Sequence, residues 1–146
     1  MYTGLLHTHN LFRWLVLIML VVAIILGFTG WFGKKEWTKR DNLAGLLLTI
    51  FVDIQFLVGI VLYAFVSPLT KAAFADFGAA MKDTTLRFYA VEHILMMIIA
   101  VVLVHVGSAK SKNAIASWKK HRTSAIFYGI ALVVILAAIP WNRALM

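Results

Sequence analysis

LVLIMLVVAIIL, residues 15–26, is the stretch that decides the fold, because not one of its side chains is polar. It lies within an apolar segment that runs from about Leu5 to Phe32, and about 20 such residues suffice for a helix to cross the hydrocarbon core of a bilayer. Three more segments have the same character, at about 43–66, 86–107 and 123–139. The sequence therefore predicts four membrane-spanning helices.

Composition leaves room for little besides these spans. The chain has 146 residues, of which 62% are hydrophobic, whereas about half are apolar in a soluble domain. We therefore expect one all-α transmembrane domain over residues 1–146, an integral membrane four-helix bundle. The N-terminus lacks the basic start and the small-residue cleavage site of a signal peptide, so we expect the first span to remain.

Positive charge is concentrated in two loops between the spans. GKKEWTKRD at residues 33–41 and the loop of residues 108–122 carry most of the lysines and arginines behind the net charge of +8. Basic loops mark the cytoplasmic side of a membrane, so this charge predicts orientation and gives no reason to expect nucleic acid as a partner. Both termini and residues 67–85 are then expected on the outer, periplasmic side.

The outer loop has a pattern of its own. Phe74, Phe77 and Met81 recur at helical spacing among charged residues, which predicts an amphipathic segment over about 69–82 on the outer membrane surface. Two interpretations stay open. The segment is either a lid over a site at the outer end of the bundle or a simple interfacial connector.

Polar side chains inside the spans narrow the search for function. The chain has no cysteine, which excludes disulfides, covalently attached c-type haem, iron–sulfur clusters and thiolate metal sites. Ionisable groups are costly in lipid and are expected to face the bundle interior, a cavity or a span end. The polar groups in question are His7, His9, Asn10, Arg13, Asp53, Gln55, Glu92, His93 and His105.

His9 and His93 are the favoured pair among these groups. A neutral imidazole is the usual axial ligand of a buried haem iron. His9 lies roughly 14 Å and His93 roughly 6 Å outward of their span centres at about 1.5 Å per residue, a mismatch within the error of the span boundaries. His7 lies farther out and points about 200° away around the helix. The sequence therefore predicts haem iron between His9 and His93, with His7 less favoured.

Two further histidines lie toward the cytoplasmic side. His105 follows His93 by twelve residues, about 120° around the helix, and His121 stands in the basic loop at the same membrane surface. They are less favoured candidates for a second haem. The alternative is an interfacial His105 and a solvated His121.

Arg13, Asp53, Glu92 and Gln55 are expected to support the site. Arg13 follows His9 by one turn and is expected to hold a haem propionate or to form a salt bridge with Glu92. Asp53, near the middle of span two, is interpreted as a proton carrier or as an orienting partner of a histidine ring. The alternative is that Asp53, together with Gln55, forms a hydrogen bond to a neighbouring helix. The aromatic wall of the haem is expected from Phe12, Trp14, Phe88 and Tyr89.

Three runs of the sequence resemble short bacterial four-helix membrane proteins known as cytochrome B, namely HTHNLFRW at 7–14, GWFGKK at 30–35 and RFYAVEH at 87–93. The layout is similar to small b-type cytochromes, which bind haem between two histidines and exchange electrons with quinones or soluble reductants. This resemblance implies axial ligation by His9 and His93 and a multi-pass protein of the bacterial inner membrane. Span two has Asp53 and no histidine, which departs from two-haem cytochromes and points to a single haem or to its loss.

Three functions follow from these residues. The first is a membrane electron-transfer protein with haem b and with quinone as a candidate partner. The second is a non-catalytic accessory subunit of a larger respiratory or secretory membrane complex. The third is proton or solute transport through Asp53, Glu92 and the histidines, which lacks the inverted repeats or broken helices typical of transporters. No set of catalytic residues is singled out.

Overall fold

A computed structural model describes residues 1–141, and the regular structure within that range is helical. The α-helices are α1 (Tyr2–Phe32), α2 (Lys39–Val61), α3 (Pro68–Ala75), α4 (Phe77–Ala80), α5 (Thr84–Arg87), α6 (His93–Asn113) and α7 (Ser117–Ala138). A π-helical segment, Leu62–Val66, continues α2, and a second, Phe88–Glu92, joins α5 to α6. Four helical stretches are long and apolar enough to cross a membrane: Tyr2–Phe32, Lys39–Val66, Thr84–Asn113 and Ser117–Ala138.

The long helices extend beyond the apolar segments that predict them. Helix α2 begins at Lys39 and not near Leu43, and α7 begins at Ser117 and not near Thr123. At the start of α2 the Thr38 backbone N–H donates to the Asp41 carboxylate at 2.8 Å, half of a capping box. Apolarity marks only the part of a helix that suits lipid, whereas backbone hydrogen bonding continues into the charged flanks.

Packing brings the four long helices around a shared core. Helix α1 packs against α2 and α7, and α6 packs against α7 and, more sparsely, α2. Helices α1 and α6 therefore lie diagonally opposite each other. Leu20, Leu48, Val104 and Ala131, one from each long helix, are fully buried in the middle of this arrangement.

The π-helical segments are held by side chains from neighbouring elements. A π-helical turn leaves backbone carbonyls without their usual i+4 donors. The Tyr63 hydroxyl donates to the carbonyl of Ala90 at 2.6 Å, and the Thr70 hydroxyl donates to the carbonyl of Tyr63 at 2.7 Å. These two bonds tie α3 and both π-helical segments into one unit, which we call the cap (residues 62–92).

The expected amphipathic segment is divided in two and packs against α5 and the π-helical segments. Helices α3 and α4 are separated at Asp76, whose carboxylate accepts from the backbone N–H of Ala79 at 3.2 Å. Ala73 and Ala80 are buried together with Ala90. Phe74 and Phe77 are exposed and stack with their ring centroids 5.7 Å apart. Small residues thus make the contact with the rest of the protein, and the phenylalanines predicted to lie in the membrane surface point outward.

Removing the Tyr63 hydroxyl is expected to loosen the cap. Tyr63→Phe leaves the Ala90 carbonyl without its donor, which typically costs about 1–3 kcal/mol in a water-poor environment. Unfolding in mixed micelles measures the change. Tyr2→Phe is the matched control, because no side-chain hydrogen bond of Tyr2 is found within residues 1–141. Equal stability of the two variants would contradict the role given to the Tyr63–Ala90 bond.

Candidate functional site

A cavity lies between the four long helices, beneath the cap. Its volume is about 180 Å³, with about 1410 Å³ of empty space when the open mouth is counted. Most of its lining is apolar, and Ser67, Leu69 and Thr70 of the cap contribute to it. This contact places the cap over the cavity, as the lid interpretation of the outer segment requires.

His93 enters the cavity from α6 with one ring nitrogen already fixed. Its Nδ1 lies 2.7 Å from the backbone carbonyl of Ala138. A carbonyl can only accept, so Nδ1 carries the proton and Nε2 keeps its lone pair. Ala138 is the last residue of α7, where carbonyls have no partner within the helix. The end of α7 therefore selects the tautomer in which Nε2 can bind a metal.

His9 enters the same cavity from α1 and rests against α2. The backbone of Gln55 is within hydrogen-bonding reach of its ring, and its Nδ1 is buried without a partner. Gly59 lies against the imidazole, because a Cβ at that position would approach Cε1 of His9 to 3.2 Å. A residue without a side chain is thus what lets the ring approach the α2 backbone.

The two imidazoles line the same cavity. The His93 ring is held by the Ala138 carbonyl of α7, and the His9 ring packs against Gly59 of α2. Ligating histidines are usually oriented in this way by groups beyond the metal. Within residues 1–141 no group of three or more His, Asp or Glu is placed to hold a bare metal ion. Two imidazoles do suit haem iron, whose porphyrin already supplies four nitrogens, and the residues present fit that group.

Arg13 also lines the cavity, and Glu92 does not pair with it. The Arg13 guanidinium donates to the Asn10 side-chain oxygen at 3.2 Å and lies 5.2 Å from the Trp14 ring centroid. Glu92 is exposed and forms its salt bridge with Arg87 at 2.8 Å. Of the two alternatives for Arg13, the salt bridge with Glu92 is not formed, and the Arg13 side chain lies beside the cavity.

Other predicted residues lie elsewhere or have other neighbours. His7 is exposed and does not line the cavity. Asp53 contacts a histidine ring, as one of its two interpretations expects, and that histidine is His105, outside the cavity. Gln55 is separate from Asp53 and lines the cavity with its side-chain oxygen buried and unpartnered. The polar network expected from Asp53, Glu92 and Gln55 is therefore dispersed over three places.

The expectation of a solvated His121 is wrong. Its ring is 1% exposed and lies against Gly30 and the Trp37 ring, with centroids of the two rings 5.0 Å apart. His105 is bonded to Asp53 in different surroundings, so the structure gives no support to a second haem between them. Both nitrogens of His121 are buried without a hydrogen-bond partner.

Only part of the expected aromatic wall faces the cavity. Tyr89 lines it, and the Phe88 ring lies 5.6 Å from the ring of His93. Phe12 instead packs edge-on against Phe51, and Trp14 is exposed. The sequence marks Gly59 only as a small residue within a span, suited to close helix packing. The Ala138 carbonyl, which orients His93, had no side-chain signal at all.

Comparison of the chain with protein-family models, with curated proteins and with solved structures found no match.

Proposed function

We propose that this chain is a membrane electron-transfer protein, a four-helix bundle that binds haem b between His9 and His93. One observation carries the proposal. Two histidines on diagonally opposed helices line a single, mostly apolar cavity, and each has a ring nitrogen without a hydrogen-bond partner. Nδ1 of His93 is held by the Ala138 carbonyl and the His9 ring packs against Gly59, so both imidazoles are oriented before any ligand arrives.

Bound haem supplies a one-electron couple, and the residues of the chain set its surroundings. The aliphatic lining formed by Val16, Val52, Val101 and Val104 excludes water from the iron, which is one determinant of reduction potential. Arg13 is the cation placed to bind a propionate. The cap closes the cavity on the side proposed to face the periplasm, with both termini on that side. Quinone in the lipid is the proposed electron partner, and the bacterial inner membrane the proposed location.

A visible spectrum of the purified full-length chain tests the proposal. We expect stoichiometric haem, with sharp paired bands on reduction that indicate two nitrogen ligands. Chain that is purified without haem is titrated with hemin, and uptake of one equivalent gives the same spectrum. Failure to bind hemin by folded chain contradicts the proposal. Constant co-purification of colourless chain with larger membrane proteins would favour the accessory-subunit alternative.

Loss of the Arg13 charge is expected to lower the reduction potential. A cation near the iron favours the reduced form, so Arg13→Gln should shift the midpoint downward by an amount on the order of tens of millivolts. Redox titration of the haem bands measures the shift. Arg122→Gln is the control, because Arg122 packs on Trp118 at 4.9 Å and does not line the cavity. Equal midpoints in both variants would place Arg13 away from the haem.

A further inference from the structure

Asp53 and His105 make a close contact that the haem site does not use. Oδ1 of Asp53 lies 2.6 Å from Nε2 of His105, and the two side chains are 52% and 45% exposed. Neither residue lines the cavity. Both belong to helices long and apolar enough to cross a membrane, so the exposed side of the pair meets the lipid region. Polar groups left without partners there are costly.

Two polar atoms of the pair remain available. A pair without net charge carries two protons; with one in the Oδ1–Nε2 contact and one on Nδ1 of His105, Nδ1 is a donor and Oδ2 of Asp53 is an acceptor. The part of the chain that the structure describes offers neither atom a partner. The pair therefore presents one donor and one acceptor, side by side, to whatever covers it.

The pair stands within two exposed apolar stripes. On α2 the stripe continues through Leu46, Ile50 and Leu57, and on α6 it continues through Leu95, Ile98 and Val102; all six side chains are exposed. With Asp53 and His105 included, the positions are separated by three and four residues in alternation. This is the repeat of helices that pack side by side over several turns, and a polar residue within it fixes register and partner.

We propose that the α2–α6 face is the interface of a homodimer in the membrane, in which the Asp53–His105 pairs of two copies bond each other across a two-fold axis. A two-fold axis sets the same patch of each copy against the other. The donor on each His105 then meets the acceptor on the partner's Asp53, and all four available atoms are satisfied. Because the arrangement is self-complementary, a second copy of the chain is the partner that we propose for this face. The interface does not depend on haem.

Cysteine cross-linking tests the face, since the chain contains no cysteine of its own. Leu57→Cys places a thiol on the stripe one turn from Asp53. Val133→Cys, on α7, is the matched control, because the two positions are 64% and 67% exposed. In vesicles of phosphatidylethanolamine and phosphatidylglycerol, mild oxidation should give a disulfide-linked dimer with Leu57→Cys and monomer with Val133→Cys. Equal cross-linking at the two positions overturns the proposal.

Dilution of labelled chain in the same vesicles tests the polar pair. The double variant Asp53→Leu with His105→Leu leaves no unpaired polar group and should insert normally. It lacks two cross-interface hydrogen bonds, each of which changes a dissociation constant about threefold in membranes. The dissociation constant of its dimer, measured by energy transfer between labels, should therefore be about tenfold higher than that of wild type. Wild-type chain that is monomeric at every dilution, or a double variant as dimeric as wild type, overturns the proposal. Either result leaves the haem spectrum unaffected, so the two proposals fail separately.

Discussion

Replacing either His9 or His93 by alanine is expected to abolish haem binding under conditions that load the wild-type chain fully. The groups that merely orient a metal-bound histidine contribute about 10–100-fold to metal affinity, so loss of the ligand itself should exceed roughly 100-fold. Both imidazoles line one cavity, and neither can substitute for the other because His93 is bonded to the end of α7 and His9 packs against α2. Haem per chain and the paired visible bands measure the effect.

His7→Ala is the matched control for this experiment. It makes the same change two residues from His9, at an exposed position outside the cavity, and it should keep the wild-type spectrum. Circular dichroism establishes that each variant is folded. Imidazole added to His93→Ala should restore the paired bands, because it fills the space that the side chain leaves. Unchanged spectra in both His9→Ala and His93→Ala would eliminate these residues as ligands.

The spans are predictable from sequence because lipid imposes a simple requirement. Each span must bury its own backbone polar groups in a helix and present apolar side chains over about 20 residues. That requirement is local, so the segment of residues 15–26 indicates a helix without knowledge of its neighbours. The helix starts at Lys39 and Ser117 follow backbone hydrogen bonding rather than apolarity, which is why they lie outside the predicted boundaries.

The cavity histidines are partly predictable and their supports are not. A histidine in an apolar span is costly, and that cost singles out His9 and His93. Their supporting groups are a glycine and two backbone carbonyls or amides, at Gly59, Gln55 and Ala138. Such groups are common to many residues of every helix. Only packing determines which of them meets a given imidazole.

Asp53 shows what depth alone leaves undetermined. Sequence gives its depth in the membrane but a poor estimate of its direction around α2, so it predicts a histidine partner without identifying which histidine. The structure places it against His105, on the exposed side of α2 and α6. His121 shows an error of another kind. Its neighbours in sequence are lysine and arginine, which suggests solvent, whereas the absence of a side chain at Gly30 creates the space in which its ring is buried.

Gly30→Ala is therefore expected to destabilise the protein, although alanine favours helices. A Cβ at Gly30 would overlap the ring of His121, a buried ring that is 1% exposed and would have to shift to make room. Overpacking of this kind typically costs about 1–3 kcal/mol, which exceeds the gain of at most about 1 kcal/mol in helix propensity. Unfolding in mixed micelles measures the net loss.

Gly129→Ala is the matched control, since no heavy atom lies within 4 Å of a Cβ built there. That variant should be as stable as wild type or more so. Combining Gly30→Ala with His121→Ala removes the overlapping ring, so the double variant should be more stable than the sum of the single effects predicts. Gly30 and His121 do not line the cavity, and haem spectra should stay unchanged in every folded variant. Equal stability of Gly30→Ala and Gly129→Ala would mean that the His121 ring does not occupy the space beside Gly30.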